Sequence, residues 1–426
     1  MKIHIRNCRL IDPKNQTDGK HDIYIAAGKV AAIGAAPDGF HANRVIDAEG
    51  LIACPGLIDL SARLREPGYE YMATLESEMD AAVAGGVTTL VCPPDTDPPL
   101  DEPGLVEMLK FRAKSLNQAR VYPLGALTQK LEGQRITEMA ELRDAGCIGF
   151  SQADAPLVDT QVLWRAMQYA ATFGFTVWLR PQDAHLAKGG VAHDGEVASR
   201  LGLPAIPASA ETIALATILT LARETGARLH VCRLSTRAGL EMVRAAKAEG
   251  LPVTCDISIH HAHLSEMDIG YFDANCHLIP PLRSQRDRDA LRQGLADGAV
   301  DALCSDHAPV DDDAKLLPFG EAEAGATGLE LLLPLTLKWA EESGVPLATA
   351  VAKLTTEPAR ILGLNNGSLT PGQSADLCLF DPQRYWKVEP RSLKSSGKNT
   401  PYQGVELRGK VRATLVEGHI VYEAEK

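Results

Sequence analysis

Between residues 55 and about 365, short apolar runs alternate with helix-length amphipathic segments eight times over. The runs lie at 57–60, 88–92, 121–125, 147–150, 176–179, 228–232, 253–256 and 302–304, and helical patterning covers stretches such as 75–84, 160–173, 208–225 and 237–248. A short strand that is apolar throughout is buried on both faces, as strands of parallel sheets are. Eight strand-then-helix units predict an α/β fold, a closed (β/α)8 (TIM) barrel with its helices outside. The flanks read differently. Residues 2–9, 22–26 and 30–33 are strand-like, with Ala27-Gly28 as a turn, and strand patterning returns at 375–380, 404–407 and 413–421. The expected division is 1–54 and 366–426 as the two parts of one small β-sandwich, with the barrel at 55–365. No internal repeat or low-complexity tract interrupts it.

Charge and cysteine usage narrow the function classes. The net charge of −12, with no Lys/Arg block, predicts neither a nucleic-acid nor a membrane partner. Nine cysteines are scattered without a C-x-x-C pair, the pattern of reduced thiols in a cytoplasm. The start, MKIHIRNCRLID, alternates like a strand and lacks the apolar core of a signal peptide. No apolar run approaches the ~20 residues of a membrane span. A soluble, cytoplasmic protein is expected. Neither a G-x-S-x-G elbow nor a P-loop occurs, which gives nucleophilic-serine and nucleotide-hydrolysis chemistry little weight.

In such barrels the reacting groups stand at the C-terminal ends of the strands. Those places hold Ser61 and Arg63 after strand one, Ser151 after strand four, Arg180 after strand five, Arg233 after strand six and Asp306 after strand eight. The surrounding stretches are specific: Pro55-Gly-Leu-Ile-Asp-Leu-Ser-Ala-Arg-Leu-Arg-Glu-Pro-Gly68, His230-Val-Cys-Arg-Leu-Ser-Thr236, Pro280-Pro-Leu-Arg283, Ser305-Asp-His-Ala-Pro309 and Gly367-Ser-Leu-Thr-Pro-Gly-Gln-Ser-Ala-Asp376. Over nearly its whole length the chain resembles the dihydroorotases of the amidohydrolase superfamily. The resemblance implies zinc ligands at all six places: a His-x-His pair where Ser61 and Arg63 stand, a carboxylated lysine at Ser151, histidine-type ligands at Arg180 and Arg233, and the metal-binding aspartate and general base at Asp306. Only the last matches. A guanidinium has no free lone pair, and one aspartate cannot supply the three protein ligands of a catalytic zinc. No catalytic residue, metal or other cofactor is therefore expected. Among substrate positions, Arg65 matches the arginine that grips the substrate carboxylate. Asp95 replaces an asparagine, Ile279 another asparagine, and Val310 a histidine.

Changed centres inside retained flanks resemble the non-catalytic dihydroorotase-like subunits associated with bacterial aspartate transcarbamoylase. That resemblance implies a partner, the transcarbamoylase catalytic subunit, a role in de novo pyrimidine synthesis, and a homodimer within a larger hetero-oligomer. Two rival readings stand beside it: an active cyclic-amide hydrolase of the dihydroorotase, hydantoinase or allantoinase type with an altered metal site, and a small-molecule anion sensor. Buried arginines need partners, so an ion-pair cluster is expected to fill the cavity, with at least one arginine on Asp306 and other carboxylates or waters serving the rest, which makes Asp306 an ion-pair partner in preference to a base. Arg65 is read as a structural salt bridge in preference to an anion site. His260, His261 and His263 are read as structural in preference to a new metal site, and Asp311-Asp-Asp313 as a solvated loop.

Overall fold

The computed structural model describes residues 1–424. Eight parallel strands follow one another around the barrel: Leu57–Asp59, Val87–Cys92, Arg120–Ala126, Gly149–Ser151, Thr176–Leu179, Arg228–Val231, Val253–Ser258 and Ala302–Cys304. The first and eighth meet just beyond these ends. A bridge joins Ala62 to His307, Arg63 N donates to the His307 carbonyl at 2.8 Å, and His307 N donates to the Ser61 carbonyl at 3.1 Å. The backbone that carries Ser61, Arg63 and Asp306 is thus tied into the closure of the ring. Ile58, Leu60, Val91, Leu124 and Trp178 pack together in one apolar cluster, while a larger one includes Leu57, Leu90, Met167, Leu215 and Trp339.

The helices begin where polar side chains can cap them. Thr74 and Ser77 form a capping box ahead of Leu75–Ala84. Asp159 accepts from Gln161 N at 2.8 Å ahead of Thr160–Phe173, and Thr236 accepts from Gly239 N ahead of Arg237–Ala248. Each such cap is worth ~1 kcal/mol. A short insertion between strands five and six, with Ala192–His193 paired to Ala205–Ile206 around the helix Glu196–Leu201, is too brief to show as periodicity.

The flanking segments form one continuous eight-stranded, mostly antiparallel sheet. Its order is His419–Glu423, Glu406–Val416, Leu377–Lys387, Ile52–Pro55, Ile3–Asp12, Thr17–Ala26 and Lys29–Ile33, with Arg44–Asp47 also paired to Ile3–Asp12. Ile52–Pro55 joins the two ends of the chain, pairing with Ile3–Asp12 on one side and Leu377–Lys387 on the other. Ile3, Ile5, Leu10, Ile23, Leu377 and Leu415 give this sheet its own core. The single strand expected at 413–421 is a hairpin. Glu417 and Gly418 both hold positive φ (49° and 69°), as a tight two-residue turn demands. Among the described residues, no helix is long and apolar enough to cross a membrane.

Candidate functional site at the barrel mouth

Arg63, Arg180 and Arg233 leave three strand ends and converge on one carboxylate, Asp154. Arg63 Nη2 donates to Asp154 Oδ2 at 2.6 Å, Arg233 Nη2 donates to Oδ1 at 2.5 Å, and Arg180 Nε donates to the same Oδ1. Two further carboxylates close the group. Asp95 accepts from Arg63 Nε at 2.8 Å, and Asp306 accepts from Arg233 Nη1 at 3.1 Å. The Ile279 carbonyl takes a second bond from Arg233 Nη1 at 3.0 Å, and Gln182 accepts from Arg180. Three guanidiniums therefore face three carboxylates, and the cluster is formally neutral. The expected Arg–Asp306 pair is present, but it is peripheral. The hub is Asp154.

The electrostatics follow from this placement. Burial would push the Asp154 carboxyl up, but Arg233, Arg180 and Arg63 together hold it well below the usual carboxylate range. Asp306 is raised, chiefly by burial and with Asp154 adding to it, against the pull of Arg233 and Arg63. Burial depresses Arg180, the arginine with the fewest charged partners, whereas Arg233, flanked by Asp154 and Asp306, is raised despite its burial. Arg65, Ala153, Arg233 and Asp306 all hold positive φ, between 50° and 59°. Non-glycine residues stay in that region only where their surroundings over-determine them. At Arg233 the constraint is visible: its backbone N–H is held by Asp256 Oδ1 at 2.7 Å while its side chain is held at the other end.

The remaining positions are distributed around this knot. Ser61 lends its carbonyl to the ring closure, and Ser151 Oγ accepts from Ala153 N at 3.0 Å. Ser61, Ser151, Arg180 and Arg233 border a space of about 20 Å³, room for about one water. A larger cavity of about 210 Å³ opens beside it, lined by Arg63, Arg65, Asp95, Asp154, Ile279 and Asp306 among others. Asp95 faces that cavity with its charge engaged by Arg63. Arg65 departs from the salt bridge expected of it. Its Nε donates to the Pro309 carbonyl at 2.8 Å and its guanidinium lies 5.9 Å from the Tyr69 ring centre. Val310 lies outside the cavity lining, fully buried, with its N–H on Asn399 Oδ1 at 3.0 Å.

These donors do not fit a zinc ion. Two serine hydroxyls and three guanidiniums supply no anionic or imidazole ligand, and Asp154, Asp95 and Asp306 are engaged by arginines. Among the described residues no group of three or more His, Cys, Asp or Glu side chains is placed to hold a metal ion. His261 and His263 turn their Nε2 atoms to the carbonyls of Pro281 and Leu335, and His260 lies buried against Tyr402. Asp154 closes the stretch Gly149-Phe-Ser-Gln-Ala-Asp154 and corresponds to no ligand position of the resemblance. Charge counting could have found it. Three buried arginines facing only Asp95 and Asp306 leave one cation over, which calls for a third carboxylate at the same end of the barrel.

Comparison with known proteins agrees with this architecture. Residues 50–239 match the dihydro-orotase-like family, and residues 158–422 match the amidohydrolase family. A protein of Pseudomonas aeruginosa named dihydroorotase-like protein is 46% identical, with 99% of this chain and 100% of that protein covered. One of Pseudomonas putida with the same name is 44% identical, with both chains covered in full. A protein of Geobacter sp. strain M21 named dihydroorotase is 40% identical, again with both covered in full. Among solved structures, the L-hydantoinase (dihydropyrimidinase) of Arthrobacter aurescens superposes with a TM-score of 0.88 at 26% identity, covering 99% of this chain and 96% of its own. The chain belongs to the amidohydrolase family, among its dihydroorotase-like members.

Proposed function

We propose that this chain is a non-catalytic dihydroorotase relative that serves as a structural subunit of an aspartate transcarbamoylase holoenzyme in de novo pyrimidine synthesis. The observation that carries the reading is the knot at the strand ends. Hydrolysis of a cyclic amide in this family needs a Lewis acid and an activated water, and three guanidiniums closed on Asp154 stand in that place. Asp306, the retained aspartate, is bonded to Arg233 and so acts as an ion-pair partner in place of a base. On this reading Ser61, Arg63, Ser151, Arg180, Arg233 and Asp306 are a degenerate metal site, and Arg65, Asp95, Ile279 and Val310 a degenerate substrate site. The two relatives at 46% and 44% identity, named dihydroorotase-like, support it. The transcarbamoylase partner, and the homodimer within a larger cytoplasmic assembly, come from the motif resemblance.

One finding favours a second reading, an active cyclic-amide hydrolase with an altered site: full-length relatives at 37–40% identity are named dihydroorotase. Elemental analysis of the purified chain, with turnover of dihydroorotate and carbamoyl-aspartate, separates the two. The scaffold reading expects no stoichiometric zinc, no turnover, and a complex of defined mass with the transcarbamoylase catalytic subunit. About one or two zincs per chain with chelator-sensitive turnover would transfer the assignment to the hydrolase.

A further inference from the structure

The loops above the barrel mouth carry an apolar surface that the knot does not explain. Segments 266–277 and 311–325 follow strands seven and eight and are laced together. Lys315 Nζ donates to the Ala274 carbonyl at 2.9 Å, His277 Nδ1 meets the Ala322 carbonyl at 2.8 Å, and Gly325 N donates to the His277 carbonyl at 2.9 Å. Beneath them Ile269, Cys276, Leu278 and Phe319 form a buried cluster. On the outside, Tyr271 is 90% exposed and Leu316 82% exposed, with Met267, Phe272 and Leu317 also open to solvent. Burying a large apolar side chain is favourable, so a folded loop pair that holds several of them outward forgoes that stabilisation. The same two segments contain eight carboxylates and a single cation, Lys315. Asp268, Asp273, Asp312, Asp313 and Glu321 are exposed and flank the apolar residues along the two segments.

We infer that this rim is a docking surface for a protein whose matching face carries apolar side chains inside a ring of Lys and Arg. The inference rests on the scaffold reading above and names the face through which the scaffold meets its partner. An apolar centre with a charged rim is the anatomy of a protein interface. The sign of the rim selects the occupant. A second copy of this chain meeting it across a two-fold axis would set carboxylates against carboxylates, and an anionic membrane is repelled for the same reason.

The test uses the full chain and the transcarbamoylase catalytic subunit of the same organism, with affinity and mass read by sedimentation. Wild type is compared with Tyr271→Ser/Leu316→Ser and with Asp312→Lys/Asp313→Lys, all at exposed positions, and melting curves confirm that each variant folds. The expected result is a Kd raised at least ~10-fold in both variants, and wild-type binding that weakens as salt rises from about 50 to about 500 mM. Wild-type binding with both variants unchanged overturns the assigned face and leaves the scaffold reading standing. No binding by folded wild type overturns both. Self-association that Tyr271→Ser/Leu316→Ser abolishes would assign the surface to a second copy and overturn the inferred partner.

Discussion

Replacing Asp154 by Asn keeps the side chain's shape and removes the one charge that three guanidiniums share. After the change Arg63 retains Asp95 and Arg233 retains Asp306, while Arg180 is left with Gln182 alone. One guanidinium, its side chain 4% exposed, then stands without a counter-charge. Breaking a buried ion pair by removing one partner costs ~3–5 kcal/mol. Asp154 is 24% exposed, which admits some solvent and places the cost near the lower end, about 3 kcal/mol. With an unfolding entropy of ~2.1 cal/mol/K per residue, a 426-residue chain melting as one unit would lose about 3 °C. Calorimetry at neutral pH reads the shift directly. The double variant Asp154→Asn/Arg180→Met removes the orphaned charge and should recover most of the loss. An unchanged melting temperature in Asp154→Asn, or no recovery in the double variant, would refute the hub assignment.

The same carboxylate sets an acid limb. Its folded pKa is depressed, so its contribution is complete above the unfolded value of ~3.9 and is lost as pH falls from there toward the folded pKa; the stability gap between wild type and Asp154→Asn should narrow below about pH 4, and a gap that is constant with pH would contradict this. Asp306→Ala should cost less than Asp154→Asn, because Asp306 has one arginine contact and a raised pKa; chemical denaturation ranking Asp306 first would reverse the assignment. Asp59 is fully buried at the ring closure, and burial raises its carboxyl to about 6 against the bonds from Ser305. Its contribution is therefore present below ~3.9 and lost as pH rises through about 6, a slope that Asp59→Asn should flatten in urea titrations at successive pH values.

Most of the architecture was legible because burial leaves a periodic signature. The eight apolar runs coincide with the eight barrel strands to within a few residues, and the helices at 75–84 and 160–173 match their predicted spans. Strands at Arg44–Asp47 and Ile52–Pro55 leave no alternation in the sequence: the first is mainly exposed and the second wholly buried. The break at Glu417-Gly418 does leave a trace, because Glu417, Gly418 and His419 interrupt the apolar residues, but the apolar stretches on either side are close enough to pass for one strand. At the site, motif comparison located the arginines but could not locate Asp154, which matches no ligand position of the resemblance. Its role depends on where side chains from other strand ends arrive. The partner of Arg65 is illegible for a related reason, since it is a backbone carbonyl, which has no sequence signature.

The most direct test of the scaffold claim is to delete this gene in its host and measure aspartate transcarbamoylase activity together with the native mass of the enzyme. The account predicts that the large assembly disappears and activity falls, and that both return when the chain is supplied in trans. A transcarbamoylase of unchanged mass and activity in the deletion strain would contradict it.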